Sequence, residues 1–235
     1  MLRELLAELA RDVAAARDRD PAARSTIEVV LCYPGVHARW AHRISHRLWL
    51  ADRRLAARAV SSLARALTGA DIHTGARLGE GLFIDHATGL VIGETAEVGE
   101  DVTLYHGVTL GGTSLERGKR HPTLGDRVTV GAGAKILGPI EVGDDTRIGA
   151  NAVVVRAVPA NSVVVGVPGQ AIARSRPHRR GDRPDLDNAF LPDLVGASLQ
   201  QLVARVDRLE GRAEANGAAG TAAAPPRSST DDFSI

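Results

Sequence analysis

A chain of 235 residues with 44% hydrophobic content is long enough to bury a sizeable core in one or two domains. Its 29 basic side chains nearly balance 28 acidic ones, and no basic run is interleaved with aromatics, so neither nucleic acid nor an acidic partner is indicated. A lone cysteine, Cys32, rules out an internal disulfide and, flanked by apolar residues, reads as a reduced and buried thiol. Charges at Arg3, Glu4, Glu8, Arg11 and Asp12 interrupt the start of the chain too often for a signal peptide or a membrane span, so a cytoplasmic protein is expected.

Residues 1–70 carry apolar side chains at helical spacing (Leu2, Leu5, Leu6, Leu9, then Val36, Trp40, Ala41, Ile44 and Leu48), which predicts a small helical domain. Proline disfavours helix at the residue before it, so Asp20-Pro21 ends the first helix, and Tyr33-Pro34-Gly35 marks a second break.

At Asp71 the period changes to six. Ile72, Leu78 and Ile84 begin the series; Ile92, Val98, Leu104 and Leu110 continue it, then Leu124, Val130, Ile136, Val142, Ile148 and Val154. Glycine often follows the apolar residue, as at Gly79, Gly93, Gly99, Gly125 and Gly143. Helices repeat near 3.6 residues and strands at two, so a sustained six predicts a solenoid of short strands and tight turns, three units to each triangular coil. The domain is expected over 71–175. Two breaks interrupt it: eight residues separate Ile84 from Ile92, and fourteen separate Leu110 from Leu124. The second must leave the prism as a loop, and loops on rigid scaffolds often carry chemistry.

Residues 176–235 open on a polar, proline-containing linker. Val195, Leu199, Leu202, Val206 and Leu209 then follow the four-three spacing of a short helix able to pair in a coiled coil. The Ala-, Pro- and Ser-rich end lacks the apolar content to fold and reads as a mobile tail.

The blocks "DIHTGA", "IDHATG", "VIGETAEVG", "GVTLGGT", "GKRHPTLGD", "VGAGAKILGPI" and "VVVGVP", together with the upstream "RDPA" and "YPGVHARWAHRISHRLW", closely resemble serine O-acetyltransferase of the bacterial hexapeptide-repeat acyltransferases. One departure is Thr74, where that family usually has proline. The resemblance implies an α+β protein: a helical N-terminal domain, a left-handed parallel β-helix, a C-terminal helix and a disordered tail. It also implies the first step of cysteine synthesis from serine, acetyl-CoA plus L-serine giving O-acetyl-L-serine and CoA.

Acetyl transfer from a thioester to a hydroxyl needs a base with a near-neutral pKa, and imidazole suits this. His86 is the best placed, because it follows Asp85 at the eight-residue break, where a side chain can leave the regular wall. A carboxylate should orient it, and Asp71, fifteen residues upstream, lies less than one coil away. His73 and His106 sit at no break and read as structural. A zwitterionic acceptor needs an anion for its ammonium, with Asp20 and Asp85 as candidates, and a cation for its carboxylate, with Arg120 and His121 as candidates. The resemblance gives His86, Asp71 and these four the same roles, and admits L-cysteine to the serine pocket as feedback inhibitor. No nucleophile adjoins His86, so direct transfer is expected.

"GGTSLERGK" lacks the spacing of a phosphate-binding Walker loop. The small residues Gly112, Thr113, Ala132, Gly133 and Ala150 instead allow a pantetheine arm near the backbone, with Lys135 or Arg147 for phosphate. A zinc-dependent solenoid would need a close histidine pair, which His106 lacks five residues on, so no metal is expected. A sugar or antibiotic hydroxyl is the alternative acceptor. The resemblance further implies a homotrimer with sites shared between subunits, a hexamer remaining open, and docking of the terminal Ile235 into O-acetylserine sulfhydrylase.

Overall fold

The structure, a computed structural model, describes residues 2–173 and 194–221, which belong to two compact units, Met1–Leu191 and Pro192–Ile235. The first unit begins with four helices: α1 (Leu2–Arg19), α2 (Thr26–Cys32), α3 (Pro34–Leu50) and α4 (Arg54–Thr68). Their limits follow local chemistry. Asp20-Pro21 closes α1, Ser25 caps α2 by accepting the Glu28 N–H, Pro34 occupies the first turn of α3, and Gly69 ends α4 in the left-handed region at φ 77°.

The strands follow in three parallel stacks. The first face holds β1 (Asp71–Ile72), β4 (Val91–Ile92), β7 (Thr109–Gly111), β10 (Lys135–Leu137) and β13 (Val153–Val154). The second holds β2 (Arg77–Leu78), β5 (Glu97–Val98), β8 (Thr123–Leu124) and β11 (Glu141–Val142). The third holds β3 (Phe83–Ile84), β6 (Thr103–Leu104), β9 (Thr129–Val130), β12 (Arg147–Ile148) and β14 (Ser162–Val165), with β15 (Gln170–Ala173) antiparallel on β14. This is the parallel β-helix that the six-residue period implies. Register places Ile72, Ile92, Leu110, Ile136 and Val154 in one column. Ile84, Leu104, Val130, Ile148 and Val164 form another. Both columns are buried, so each apolar side chain of the repeat covers the coil below it.

The helices pack on the first coils through α1·β3, α3·β3 and α4·β1 contacts. A Cβ at Gly35 would overlap the Ile84 carbonyl, so glycine is what lets the start of α3 close on β3. A partly buried ionic cluster holds the same joint. Arg43 grips Asp12 with two hydrogen bonds of 2.9 Å and Glu8 with one of 2.8 Å, while Arg39 donates to the carbonyls of Leu78 and Gly79 at 3.0 and 2.9 Å. Arg19, the last residue of α1, reaches Asp101 at 2.8 Å and the Val102 carbonyl at 3.0 Å, fixing the point where Asp20 begins.

Cys32 is exposed, not buried. The seven-residue α2 buries only Val29, and the apolar neighbours Ile27 and Leu31 are themselves 71% and 68% exposed, so an apolar stretch here does not mean an interior.

The second unit contributes one described element, α5 (Leu194–Thr221), longer than the short helix that the spacing predicts. The linker around 176–193 and the tail with Asp231, Asp232 and Ile235 lie outside the described residues. Among those described, no helix is long and apolar enough to cross a membrane.

Candidate active site

Both breaks in the six-residue period become chemical features. At the first, the two extra residues His86 and Ala87 adopt left-handed backbone conformations, φ 60° and 55°, and turn the His86 imidazole out of the wall. His86 Nε2 stands 3.8 Å from Asp85 Oδ1, and its ring meets His106 edge-on at 5.8 Å between centroids. Burial pushes the Asp85 carboxyl above its ordinary value; His86 and His106 oppose that shift and the Asp20 charge reinforces it. Asp20 Oδ1 accepts from the Ala22 N–H at 2.8 Å, and Oδ2 accepts from the Tyr33 hydroxyl at 2.5 Å. Tyr33, just ahead of Gly35, is thereby held between the end of α1 and the corner at Asp85. Burial, then the Asp20 hydrogen bond, raise its phenol pKa, so it acts as a donor.

The second break places Arg120 and His121 at a different corner, after the loop that leaves β7. Thr95 organises them: its hydroxyl accepts the N–H groups of Arg120 and His121 at 3.0 and 3.1 Å, and its own N–H donates to His121 Nδ1 at 3.2 Å. With Nδ1 accepting, the neutral His121 ring carries its proton on Nε2. Burial, then Arg120, lower its pKa and favour that neutral form. A Cβ at Gly93 would fall inside the His121 ring, so Gly93 makes room for it. Arg120 forms a short hydrogen bond with Glu94, which holds the Glu94 carboxyl below its usual range. His73 lies near this group, edge-on to Trp49 at 5.3 Å, its pKa lowered by burial and then by Arg58. A cavity of about 360 Å³ adjoins it, lined in part by Trp49, Glu94, Thr95 and Lys119.

The single chain therefore brings Asp20, Asp85 and His86 to one corner and Arg120 and His121 to another. Among the described residues, no ion pair joins Asp71 to His86; Asp71 Oδ2 lies 3.3 Å from Arg65. Of the residues expected to meet a coenzyme, Gly112 packs against Arg120 and His121, and Thr113 approaches Gly138. Ala132 and Gly133 join the stacked corners through the Asn151 N–H and the His106 carbonyl, with Ala150 exposed one coil on. The Lys135 ammonium donates to the Gly107 and Gly133 carbonyls, and Arg147 on β12 is only 5% exposed, so neither presents an open cation in the single chain. Tyr33, Glu94 and Thr95 escape a sequence reading because their partners lie at separations unrelated to the repeat. Among the described residues, no group of three His, Cys, Asp or Glu side chains is arranged to hold a metal ion.

A family model for the bacterial transferase hexapeptide (six repeats) matches residues 121–156. Coil, corners and repeat together define a hexapeptide-repeat transferase. The serine acetyltransferase of Mycobacterium tuberculosis (strain ATCC 25618 / H37Rv) is 58% identical over 234 residues, which is 98% of this chain and 100% of that one. Among solved structures, Neisseria gonorrhoeae serine acetyltransferase in complex with serine matches at TM-score 0.70 and 46% identity, covering 73% of this chain and 70% of that one. Serine acetyltransferase from Brucella abortus strain S19 in complex with coenzyme A matches at 0.72 and 45%, covering 75% and 70%. A serine acetyltransferase in complex with cysteine matches at 0.75 and 39%, covering 80% and 73%. The chain belongs to the serine acetyltransferase family.

Proposed function

We propose that this protein transfers the acetyl group of acetyl-CoA to the hydroxyl of L-serine, giving O-acetyl-L-serine and CoA, the first step of cysteine formation from serine. The observation that carries the reading is the corner where His86 projects beside Asp85 and Asp20, a base next to two anions able to receive an ammonium group. His86 removes the hydroxyl proton as the oxygen attacks the thioester carbonyl, and returns a proton to the departing CoA thiolate. Asp71 is its orienting partner in the assembled enzyme, and Arg120 with His121 receives the serine carboxylate. In this reading the pantetheine arm of coenzyme A lies along Gly112, Thr113, Ala132, Gly133 and Ala150, and Lys135 or Arg147 turns to its phosphates in the assembled enzyme; a related structure in complex with coenzyme A supports the co-substrate.

Residues 71–175 form the catalytic domain and 1–70 the helical domain that supplies Asp20. Because the two groups of site residues stand at different corners of one chain, the complete site forms between neighbouring copies in a homotrimer, which two trimers can extend to a hexamer. L-cysteine enters the same pocket as feedback inhibitor in this reading, which a related structure in complex with cysteine supports. The terminal Ile235 docks into O-acetylserine sulfhydrylase, and the enzyme works in the cytoplasm.

Thiol release from acetyl-CoA with L-serine, homoserine or a galactoside tests the reading. Serine should be preferred, and His86→Ala should cut turnover by roughly 10² to 10⁴ fold while substrate still binds. Asp71→Asn should cost less. A parent enzyme silent with serine but active on a sugar hydroxyl would establish the alternative acceptor.

A further inference from the structure

We infer that α5 is one strand of a parallel three-stranded coiled coil formed by three copies of this chain. The helix spans Leu194–Thr221 and is the only described element of its unit. Leu199, Leu202, Val203, Val206 and Leu209 are between 49% and 59% exposed on it. In heptad terms Leu199 and Val206 occupy a positions, Leu202 and Leu209 occupy d positions, and Val203 widens the stripe into an e position. A helix with Gly196, Gly211, Gly217 and Gly220 in its span is a poor candidate for stability alone, and an uncovered leucine stripe is costly in water. Both facts call for association.

Charge identifies the occupant. Arg205 falls at a g position and Glu210 at the following e position. In the sequence neither has an opposite charge three or four positions away: those positions hold Gln201, Leu202, Arg208 and Leu209 for Arg205, and Val206, Asp207, Ala213 and Glu214 for Glu210. Each has a like charge three positions away, Arg208 for Arg205 and Asp207 for Glu210. Residues five apart do not share a helix face, so an Arg205–Glu210 pair forms between helices and not within one. In a parallel, in-register assembly the g residue of one strand lies beside the next e residue of its neighbour, and the Arg205–Glu210 pair closes around the bundle. The match is of this helix with itself, which selects further copies of this chain. An apolar face covering a, d and e is wide enough to serve three strands. The choice of three also rests on the trimeric β-helix proposed above, which would hold the three helices at a high effective concentration.

The test is disulfide cross-linking of the full chain carrying Cys32→Ser, so that the native exposed thiol does not compete. Leu209→Cys, at a d position, should cross-link rapidly between copies in oxidised glutathione, whereas Arg208→Cys, on the outer face, should not. Adding Arg205→Glu or Glu210→Arg singly should slow the Leu209→Cys reaction several-fold, and R205E/E210R together should restore it. Light scattering should give the mass of three copies, or of six where two trimers associate. A three-copy mass with equal, charge-insensitive cross-linking at both positions overturns the coiled coil while leaving the trimeric β-helix intact. A monomeric mass overturns both, and a two- or four-copy mass with rapid Leu209→Cys cross-linking overturns the strand number.

Discussion

The Tyr33 hydroxyl donates a 2.5 Å hydrogen bond to Asp20 Oδ2, across the junction between the end of α1 and the start of α3. Because the Ala22 N–H occupies Oδ1, Asp20 is held at both oxygens and its carboxylate has one orientation, within electrostatic reach of Asp85. Tyr33→Phe should lose a charge-assisted hydrogen bond of about 1.5 kcal/mol, a roughly tenfold fall in kcat/KM for serine. The loss should appear in KM for serine, with KM for acetyl-CoA unchanged. Equal changes in both constants would assign Tyr33 to general packing.

Gly93 sits where any side chain would enter the His121 ring. Gly93→Ala must push the imidazole aside and break its contact with Thr95. A displacement near 1 Å in a substrate-binding group costs about 10² in rate, and kcat/KM for serine should fall by about that factor. Near-UV circular dichroism and thermal melting should show the fold retained. Normal kinetics would remove His121 from the serine pocket.

How far such features can be read from sequence depends on whether they follow the repeat. The columns headed by Ile72 and Ile84 obey a fixed spacing, so the β-helix is legible, and His86 and Arg120 are marked because they fall where that spacing fails. Tyr33, Thr95 and Arg19 follow no period. Arg19 reaches Asp101, 82 residues away, and only the folded coil brings them together. Cys32 shows the opposite error: apolar neighbours suggest burial, but a helix of two turns has too narrow a buried face to include it.

His42, 4% exposed beneath the joint between α3 and the first coil, provides a pH-dependent contribution to stability. Burial, then the positive Arg39, push its pKa from 6.5 down to about 3, and His46 and Arg43 act in the same direction. Between those values the unfolded chain binds a proton here that the folded chain does not. Stability is therefore fully present above pH 6.5 and is lost as pH falls toward 3. The loss should approach about 1.4 kcal/mol per pH unit at its steepest. His42→Asn keeps an acceptor for Arg39 and cannot titrate, so its melting temperature should fall less steeply over that window than the parent's. Parallel curves would mean that His42 contributes nothing to acid sensitivity.

Thr74 stands in the turn after β1, and its side chain is completely buried. The His46 Nδ1–H donates to its carbonyl at 2.7 Å, but Thr74 Oγ1 has no hydrogen-bond partner among the described residues. A buried hydroxyl without a partner costs about 1–3 kcal/mol, whereas a methyl of the same shape costs nothing to desolvate. Thr74→Val should therefore stabilise the protein by about 1 kcal/mol, raising Tm by roughly 2–4 °C for a chain of this size. Thr74→Ser keeps the unsatisfied oxygen and removes the packed methyl, so it should lower Tm. Denaturant titration of the three proteins checks both signs. Destabilisation by valine matching that by serine would show that the hydroxyl is satisfied in solution, by water or by a neighbouring copy, and that the threonine is held there by that bond.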